Sequence, residues 1–404
     1  MGDLLFLTQR IPYPPDKGEK IRQWQILRHL RKSYNLHLGC LVDDPHDLQH
    51  IDTVKALCAS SHFAQLDRGR AKIASLRGLL TGEPLSVVFY RDRGLAEWVK
   101  RTLDTVKPDL VFIFSSNMAP YILDLKKTAP LMVDLVDLDS EKWRSYSQTH
   151  RFPMSWIYRR EADQIAALEA RIAREADWSI FVSDAEAALF QKLQPAFRDK
   201  VHYVSNGVDL DYFDPALEFP APYATHVPNF VFTGAMDYPP NIDAVTWFAQ
   251  TILPVVRRSL PEAQFHIAGS NPAAQVRALT SLPGVFVTGR VPDIRPYVAH
   301  ATACVAPMRI ARGIQNKVLE AMAMGRPTVV TADALEGINA VPGSDLLLAD
   351  SPDAFARACV ACAGPDAAAI GQAARRRVAG DYGWPKQLER FDGFLNERKA
   401  APVL

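Results

Sequence analysis

Short apolar runs alternate with helical patterns along this 404-residue chain, and this alternation limits the fold more than any other feature. The run at residues 4–7 is followed by a proline-rich loop and then by apolar residues at helical spacing: Ile21, Trp24, Leu27 and Leu30. Further runs follow at residues 35–42, 109–114, 131–136, 178–182 and 201–204. Strands that alternate with helices predict a parallel sheet with helices on both faces.

A second series of apolar runs begins after a proline-rich stretch. Residues 214–228 contain four prolines, a composition typical of a linker, and an Asn206-Gly207 turn precedes them. We therefore predict one domain over 1–213 and a second over 214–383. The remaining segment, 384–404, is predicted to form an amphipathic helix that packs back on the first domain.

Three strands of the second half end in glycine. The runs 230–233, 265–268 and 285–288 are followed by Gly234, Gly269 and Gly289. Parallel strands end at the same edge of a sheet, and residues without a side chain let a ligand approach the backbone. The sequence therefore predicts a ligand at this edge.

Composition excludes several classes of protein. The chain is 48% hydrophobic and 23% charged, so it can bury large cores and is neither disordered nor fibrous. Lys and Arg total 46 against 45 for Asp and Glu, and this net charge of +1 gives no indication of a nucleic-acid partner.

Cysteine usage and hydropathy point to a reducing, aqueous compartment. Five scattered cysteines are too few for a disulfide scaffold, which favours the cytoplasm. Cys359 and Cys362 have redox or half-zinc-site spacing, but they lie in an Ala-rich helical stretch where packing is the stronger interpretation. Because no apolar run reaches the roughly 18 residues of a membrane span, we expect a soluble or at most peripheral protein.

The stretch from Arg309 to Val330 combines a turn, a charged helix and a strand. A helix that starts near Gly313 would present Gly313, Asn316, Lys317 and Glu320 on one face, and its first free N–H groups would favour an anion such as phosphate. Glu320 could accept hydrogen bonds from sugar hydroxyls farther along. Gly325 is expected to end the helix before a strand at 328–330. An ordinary surface helix with solvated charges is the alternative.

Carboxylates cluster where the strand at 131–136 ends, at Asp134, Asp137, Asp139 and Glu141. They suggest acceptor binding, or a general base if burial raises the pKa of one of them. Helix capping by Asp139 or Ser140 is the alternative. Asp137 and Asp139 also match a DxD metal motif, but Asp209 and Asp211 match it equally, so the match is weak.

Two further segments of the first half are candidate binding elements. Lys17 and Gly18 lie after the first strand, where they could hold a phosphate or a sugar, or could belong to a solvated loop. Between Trp143 and Arg160, aromatic residues alternate with Lys and Arg. That composition suits an anionic lipid surface or a phospholipid-linked acceptor, although packing of a connecting loop is also consistent with it.

The motifs described above resemble those of family 4 retaining glycosyltransferases. NGVD before the linker, the strand-end glycines and LEAMAMGRPTVV carry the resemblance, which covers essentially the whole chain. RIPYPPDKGEKIR, FTGAMDYPPN and RIARGIQNKVLEAMAMG are similar to the sugar transferases associated with exosortase and exopolysaccharide systems of Gram-negative bacteria. The resemblance implies a GT-B fold, in which two Rossmann-like, doubly wound parallel-sheet domains face a central cleft.

The resemblance also implies an activity and a division of labour between the domains. A retaining hexosyltransferase would move a sugar from a nucleotide-sugar donor, bound by the C-terminal domain, to a glycan or lipid-linked acceptor, bound by the N-terminal domain. No metal and no covalent intermediate are required. The protein would be cytoplasmic, with peripheral contact at the cytoplasmic face of the inner membrane.

Site residues are expected to follow the same division. The donor residues would be Gly234, Gly269, Gly289, Arg290, Arg309, Arg312, Gly313, Ile314, Asn316, Lys317 and Glu320. Lys17, Gly18 and Asp139 would contact the acceptor, and Asp137, Lys317 and Glu320 would be catalytic.

The chain departs from the family pattern at three places. Arg312 replaces the first of two glutamates that the family commonly carries, so only the ribose contact, by Glu320, transfers directly. The loop at 234–241 lacks the usual Arg and Lys for the diphosphate, and we assign that charge to Arg309, Arg312 and Lys317. The region of Asp137 stands where the family often has an acceptor-domain histidine.

Two other functions fit the same fold. A nucleotide-sugar 2-epimerase would convert the donor without an acceptor, and a non-catalytic sugar-nucleotide-binding subunit would bind the donor without turnover. A dehydrogenase is disfavoured because neither half has a GxGxxG fingerprint.

Overall fold

Two compact units make up the chain in the computed structural model, which describes residues 1–15, 17–224, 226–311 and 313–400, without the side chains of 397–400. Unit 1 contains residues 1–204 and the described residues from 390 onward. Unit 2 contains Ser205–Glu389. Each unit is built around its own parallel sheet.

Unit 1 alternates strands and helices as its sequence pattern predicts. The strands are β1 (Gly2–Thr8), β2 (Tyr34–Val42), β3 (Ser60–Gln65), β4 (Leu110–Phe114), β5 (Leu131–Val136), β6 (Trp178–Phe181) and β7 (Val201–Tyr203). The helices are α1 (Gly18–Leu30), α2 (Ile51–Lys55), α3 (Arg68–Ser75), α4 (Gly78–Thr81), α5 (Leu85–Phe89), α6 (Arg93–Thr105), α7 (Pro120–Leu123), α8 (Asp139–Thr149), α9 (Met154–Glu175) and α10 (Asp184–Leu193).

The described strands of unit 1 form a sheet in the order β3-β2-β1-β4-β5-β6-β7, and every adjacent pair is parallel. Leu4 through Leu7 of β1 and all of β4 are almost fully buried, because helices cover both faces of the central strands. On α6, buried Leu95, Val99 and Leu103 recur at helical spacing, which gives this helix one apolar face towards the sheet.

Unit 2 repeats the same architecture. Its strands are β8 (Asn229–Thr233), β9 (Gln264–Ala268), β10 (Val285–Gly289), β11 (Ala303–Ala306), β12 (Thr328–Val330) and β13 (Leu347–Leu348). Its helices are α11 (Pro239–Trp247), α12 (Leu253–Ser259), α13 (Ala274–Ala278), α14 (Arg295–Ala299), α15 (Asn316–Ala323), α16 (Ala332–Leu335), α17 (Pro352–Ala361) and α18 (Ala367–Asp381). The last helix, α19 (Trp384–Ala400), runs from unit 2 into unit 1.

The second sheet has the order β10-β9-β8-β11-β12-β13, again with every described pair parallel. In both sheets the strand order reverses beside the first strand, between β1 and β4 in unit 1 and between β8 and β11 in unit 2. Loops at the carboxyl ends of two such strands leave in opposite directions and open a crevice for a ligand. The predicted doubly wound, all-parallel α/β architecture is thus present in both units.

The boundary between the units differs from the sequence-based one. It lies between Val204 and Ser205, whereas the sequence placed it between residues 213 and 214. Val208 and Phe213 belong to the core of unit 2, and Phe219 and Tyr223 from the proline-rich stretch pack against that core. Prolines therefore mark a surface segment of unit 2 at 214–228 and not a free linker.

Helix α19 carries the chain back to unit 1. Its Phe391 is fully buried and lies 5.9 Å, ring to ring, from Phe112 of β4. Phe394 lies 4.6 Å from His202, ring to ring, in a tilted arrangement, and His29 of α1 lies 3.0 Å from the carboxylate of Asp392. These contacts agree with the expected return of the final helix, whose bounds the sequence placed close to those observed.

Candidate functional site

The candidate site of unit 2 lies where the strand order reverses, between β8 and β11. The chain leaves β8 through Gly234 and Ala235, and it leaves β11 through Met308 towards α15. Lys317 of α15 reaches across this crevice. Its Nζ donates to Oδ1 of Asn241 at 2.8 Å, lies 3.8 Å from Sδ of Met308 and sits 4.6 Å from the ring centroid of Phe232.

Asn241 holds this ammonium group in place. Its Nδ2 donates to the carbonyl oxygen of Ala235 at 2.9 Å, so the amide presents its oxygen to Lys317. Burial in this setting lowers the pKa of Lys317 to about 8. Asn241 was not among the predicted site residues, because nothing in the sequence pairs it with a lysine on a distant helix.

Glu320 follows Lys317 by one helical turn and is half-buried. Burial raises the pKa of its carboxyl to about 7, and the nearby charge of Lys317 offsets part of that rise. Within the described residues its carboxylate makes no hydrogen bond. A half-buried acceptor group of this kind, without a hydrogen-bonding partner in the described structure, is suited to a ligand that brings hydroxyl donors.

The helix that carries these residues starts later than expected. It begins at Asn316, with Gln315 in extended conformation before it and no side chain capping its first N–H groups. Gly313 has a φ of 66°, the left-handed conformation that glycine tolerates best, so it forms a turn outside the helix. Gly313 therefore does not share the helical face of Asn316, Lys317 and Glu320, although the open helix start remains available to an anion.

The neighbours of Gly313 have separate roles. Ile314 is buried, and its side chain packs beside Gly337, where an added Cβ would lie 3.1 Å from Ile314 Cγ1. Asn316 accepts a hydrogen bond from Nδ2 of Asn206 at 3.2 Å. The helix ends at Ala323 with Met324 as its C-cap, Gly325 takes a φ of 63°, and β12 follows at Thr328, in agreement with the predicted helix end and strand.

Protein atoms fill the space at two of the three strand-end glycines. A Cβ on Gly269 would lie 1.7 Å from the carbonyl oxygen of Gly234, and a Cβ on Gly234 would lie 2.8 Å from Nδ2 of Asn241. A Cβ on Gly289 would meet no atom of the described structure within 4 Å. Gly234 and Gly269 thus allow the backbone loops and Asn241 to pack closely, which positions the partner of Lys317.

The predicted arginines differ in their surroundings. Arg309 pairs with Asp243 of α11, at 3.0 Å from Nε and 2.5 Å from Nη2, and it lies 5.2 Å above the ring of Trp247. Asp243 therefore neutralises much of the charge that was assigned to a diphosphate. Arg290 is exposed, directly after β10. Arg312 lies outside the described residues.

A group of carboxylates lies at the end of β5 in unit 1. Asp134 is fully buried and accepts from Nε of Arg22 at 2.7 Å. Asp137 is half-buried, and burial together with the charge of Asp139 raises its pKa to about 7. Asp139, a predicted acceptor contact, pairs with Lys142 one turn farther along α8 at 3.1 Å.

Helix α8 is not capped as the sequence alternative proposed. Leu138 occupies the N-cap position, its N–H donates to Glu186 at 2.7 Å, and Asp139 is the first helical residue. The N–H of buried Ser140 donates to Glu169 at 3.1 Å. Burial raises the pKa of Glu169 to about 8. Asp137, with its pKa near 7, can therefore exchange a proton near neutral pH.

Polar residues that the sequence did not single out line the reversal point of the first sheet. Arg10, after β1, pairs with Glu19 and with Asp43, the latter at 3.0 Å. Asn117, after β4, donates to Gln9 at 3.4 Å, and its buried Oδ1 has no partner within the described residues. Lys17 is the N-cap residue of α1 and makes no side-chain capping bond, and Gly18 is exposed at the helix start.

Metal-ligand clusters and membrane-spanning helices can be assessed for the described residues. Among the residues that the structure describes, no group of three or more His, Cys, Asp or Glu side chains is placed to hold a metal ion. No helix in the described part of the chain is long and apolar enough to cross a membrane.

Comparison with known proteins assigns the fold. Residues 227–364 match the model of the family described as Glycosyl transferases group 1. The sucrose-phosphate synthase of Thermosynechococcus elongatus superposes with a TM-score of 0.72 at 17% identity, over 100% of both chains. HepE of Anabaena, solved in complex with UDP and glucose, gives a TM-score of 0.67 at 15% identity, over 98% of this chain and 100% of that one. The chain has the GT-B fold.

A third GT-B structure, the α,α-trehalose 6-phosphate synthase of Burkholderia multivorans, gives a TM-score of 0.67 at 12% identity, over 99% of both chains. No curated protein shows significant sequence similarity to the chain. The prediction of a GT-B fold is confirmed. The group 1 match spans the loop after β8, Asn241 and the whole of α15, so unit 2 contains a domain of the glycosyl transferases group 1 type.

Proposed function

We propose that the protein is a retaining glycosyltransferase of the family 4 type, which binds a nucleotide-sugar donor in unit 2. The observation that carries this proposal is the pair formed by Lys317 and Glu320, a cation and a hydroxyl acceptor one turn apart at the reversal point of a doubly wound sheet. The group 1 match over residues 227–364 and the UDP and glucose bound by the structurally similar HepE support it.

In this proposal, electrostatic attraction binds the diphosphate of the donor, and hydrogen bonds bind its ribose. Lys317 is the second residue of α15, beside the uncapped N–H groups of the first turn, and together they would bind the diphosphate. Glu320 would accept the ribose hydroxyls. Gly234, Gly269, Gly289, Arg290, Arg309, Gly313, Ile314 and Asn316 complete the proposed donor set.

Stabilising the leaving group is the main catalytic task in this proposal. Negative charge develops on the diphosphate as the bond to the sugar breaks, and a well-placed donor can supply about 3 kcal/mol of transition-state stabilisation. Lys317 and the start of α15 would supply it without a metal ion. The acceptor would attack the same face that the diphosphate leaves, so no enzyme nucleophile is involved.

The acceptor would be a glycan or a lipid-linked sugar contacted by unit 1. Asp137 is the proposed proton acceptor, because its pKa of about 7 lets it take a proton from an attacking hydroxyl near neutral pH. Lys17, Gly18 and Asp139 are the proposed contacts. The setting we propose is bacterial exopolysaccharide synthesis at the cytoplasmic face of the inner membrane.

Substitution of the two donor residues tests the proposal. We expect Lys317→Ala and Glu320→Ala each to lower sugar transfer from UDP-, GDP- or ADP-sugars by at least about a hundredfold, with little change in melting temperature. Arg258→Ala and Glu262→Ala, which replace an exposed cation and an exposed carboxylate elsewhere in unit 2, are the matched controls. Near-wild-type transfer by both donor variants would overturn the assignment.

Incubation with the nucleotide sugar alone separates the proposal from its nearest rival. A transferase leaves the sugar configuration of unreacted donor unchanged, whereas formation of the 2-epimer would identify an epimerase. Donor binding without turnover on a broad acceptor panel would instead identify a binding subunit.

A further inference from the structure

One surface of unit 1 carries exposed apolar side chains on two neighbouring segments. The first segment is the nearly continuous helical stretch of α3 and α4, residues 68–81. Its Ala71, Ser75 and Gly78 are buried at helical spacing. The opposite side exposes Ile73, Leu76 and Leu80, which are 72%, 56% and 92% accessible to solvent.

The second segment is residues 151–159, where α8 gives way to α9. Phe152, Met154 and Trp156 are 81%, 39% and 54% exposed. These three side chains are distinct from the aromatic residues of this region that pack against one another. Trp143 and Tyr146 instead lie 5.4 Å and 6.0 Å from Tyr158, ring to ring, in a half-buried aromatic cluster.

Hydrogen bonds show that the two segments are adjacent. Arg160 of α9 donates to the carbonyl oxygen of Gly78, the first residue of α4, and to that of Glu83, two residues beyond the end of α4. The next residue, Glu161, accepts from the N–H of Leu85 at 2.8 Å. Since Trp156 precedes Arg160 by one turn of α9, it lies on the same side of the helix as α4.

The charges around these apolar side chains are positive. No acidic residue occurs in 68–81 or in 151–160. The exposed cations of the two segments are Arg68, Arg70, Lys72, Arg77, Arg151 and Arg159. Two carboxylates flank the segments: Glu83 pairs with Arg91, which lies outside them, and Asp67 lies 3.6 Å from Arg70, which leaves the other five exposed cations. We call the surface formed by residues 68–81 and 151–159 the basic apolar face.

We propose that the basic apolar face docks the protein on an anionic lipid bilayer. Aromatic and aliphatic side chains insert at the level of the headgroups, and the surrounding Lys and Arg meet the lipid phosphates. The same charges argue against a second copy of this chain as the occupant, since two such faces would bring like charges together. The inference uses only unit 1 and does not depend on the donor site.

Vesicle binding tests the proposal on the full chain. We expect the wild type to sediment with phosphatidylcholine vesicles that contain 30% phosphatidylglycerol, to bind pure phosphatidylcholine far more weakly and to be released by salt, because headgroup attraction is screened within a Debye length. Lys72→Glu/Arg77→Glu and Leu80→Glu/Trp156→Glu should each lower the partition coefficient by at least about tenfold. All four side chains are exposed, so neither variant disturbs the core.

Matched variants in unit 2 control for net charge and for loss of apolar surface. Arg258→Glu/Arg357→Glu removes the same charge, and Leu217→Glu/Val341→Glu changes two side chains that are 45% and 49% exposed. We expect both controls to bind vesicles like the wild type. Absence of wild-type binding to anionic vesicles, or equal losses in the controls, would overturn the proposal. Thermal stabilisation by UDP, measured on each variant, reports the donor site separately.

Discussion

Lys317 and Glu320 are partly withdrawn from water on the same turn of α15, and this burial moves their pKa values towards each other. The pKa of Lys317 falls to about 8 and that of Glu320 rises to about 7. Glu320 is therefore ionised above about pH 7, and Lys317 is protonated below about pH 8. Both charges that the proposed donor site needs coexist chiefly between these values.

A narrow pH optimum is the first prediction. We expect kcat/KM for sugar transfer to be bell-shaped, falling below about pH 7 as Glu320 and the proposed proton acceptor Asp137 take protons, and above about pH 8 as Lys317 loses one. Lys317→Arg should remove the alkaline limb, because guanidinium stays protonated throughout the range. A profile that is flat from pH 6 to 9 in the wild type would contradict this assignment.

The second prediction concerns the close approach of Gly269 to Gly234. Gly269→Ala places a Cβ 1.7 Å from a backbone oxygen, so we expect a loss of about 3 kcal/mol or more in the stability of unit 2 and weaker donor binding. Gly289→Ala is the control, because the added Cβ would meet no atom within 4 Å. Its only expected cost is the backbone strain of an alanine at a φ of 70°, which is about 1–2 kcal/mol of stability. Urea unfolding compares them, and equal losses would show that the close approach is not decisive.

Residue spacing in the sequence placed Lys317 and Glu320 on one helical face, and the structure has both in α15, one turn apart. It could not select Asn241, which lies 76 positions from Lys317 and meets it only after β8 and β11 pair in one sheet. The same limit applies to Arg309, whose pairing with Asp243 depends on the position of α11. Contacts between elements that are far apart in the sequence leave no recognisable pattern in the residues around either partner.

At the scale of secondary structure, Arg22 joins α1 to two strands of unit 1. Its guanidinium donates to Asp134 of β5 at 2.7 Å and to the carbonyl oxygen of Val204, just after β7, at 2.7 Å. Both charged side chains are almost fully buried. Removing one member of such a pair leaves the other charge buried, which costs more than the pair itself contributes.

The third prediction follows from this buried pair. We expect Arg22→Met to destabilise unit 1 by about 3–5 kcal/mol, and Arg22→Met/Asp134→Leu to recover much of that loss because neither charge is then buried alone. Unfolding in guanidinium chloride measures both. If the double variant is as unstable as the single one, the hydrogen bond to Val204 and not the charge pair is the main contribution.

Apolar runs in the sequence identified the central strands, because strands buried on both faces are continuously hydrophobic. β11 was not recognised, since Ala303, Cys304, Val305 and Ala306 are small residues in a short segment. The start of α15 was placed too early, because Gly313 was taken as part of the helix and its left-handed turn is invisible to residue spacing. Prolines at 214–228 suggested a linker, yet the apolar residues among them pack on unit 2.

At the scale of the whole molecule, unit 1 is completed by residues from the far end of the described chain. The fourth prediction is that Phe391→Ala destabilises unit 1 by about 3–5 kcal/mol, because the ring is fully buried beside Phe112. Hydrogen exchange should rise in β4 and stay unchanged in β11. Asn396→Ala, an exposed change on the same helix, is the control, and faster exchange in β11 alone would contradict the prediction.

The return of α19 to unit 1 also sets the order in which the protein is completed during translation. The ribosome synthesises all of unit 2 before Phe391 emerges, so the nascent unit 1 exposes the apolar surface around Phe112 throughout that time. Domains generally fold as units while the chain grows, and exposed apolar surface on such intermediates promotes aggregation. Unit 1 is thus synthesised first but completed last. While unit 2 is being synthesised, unit 1 is the part of the nascent chain that chaperones would protect.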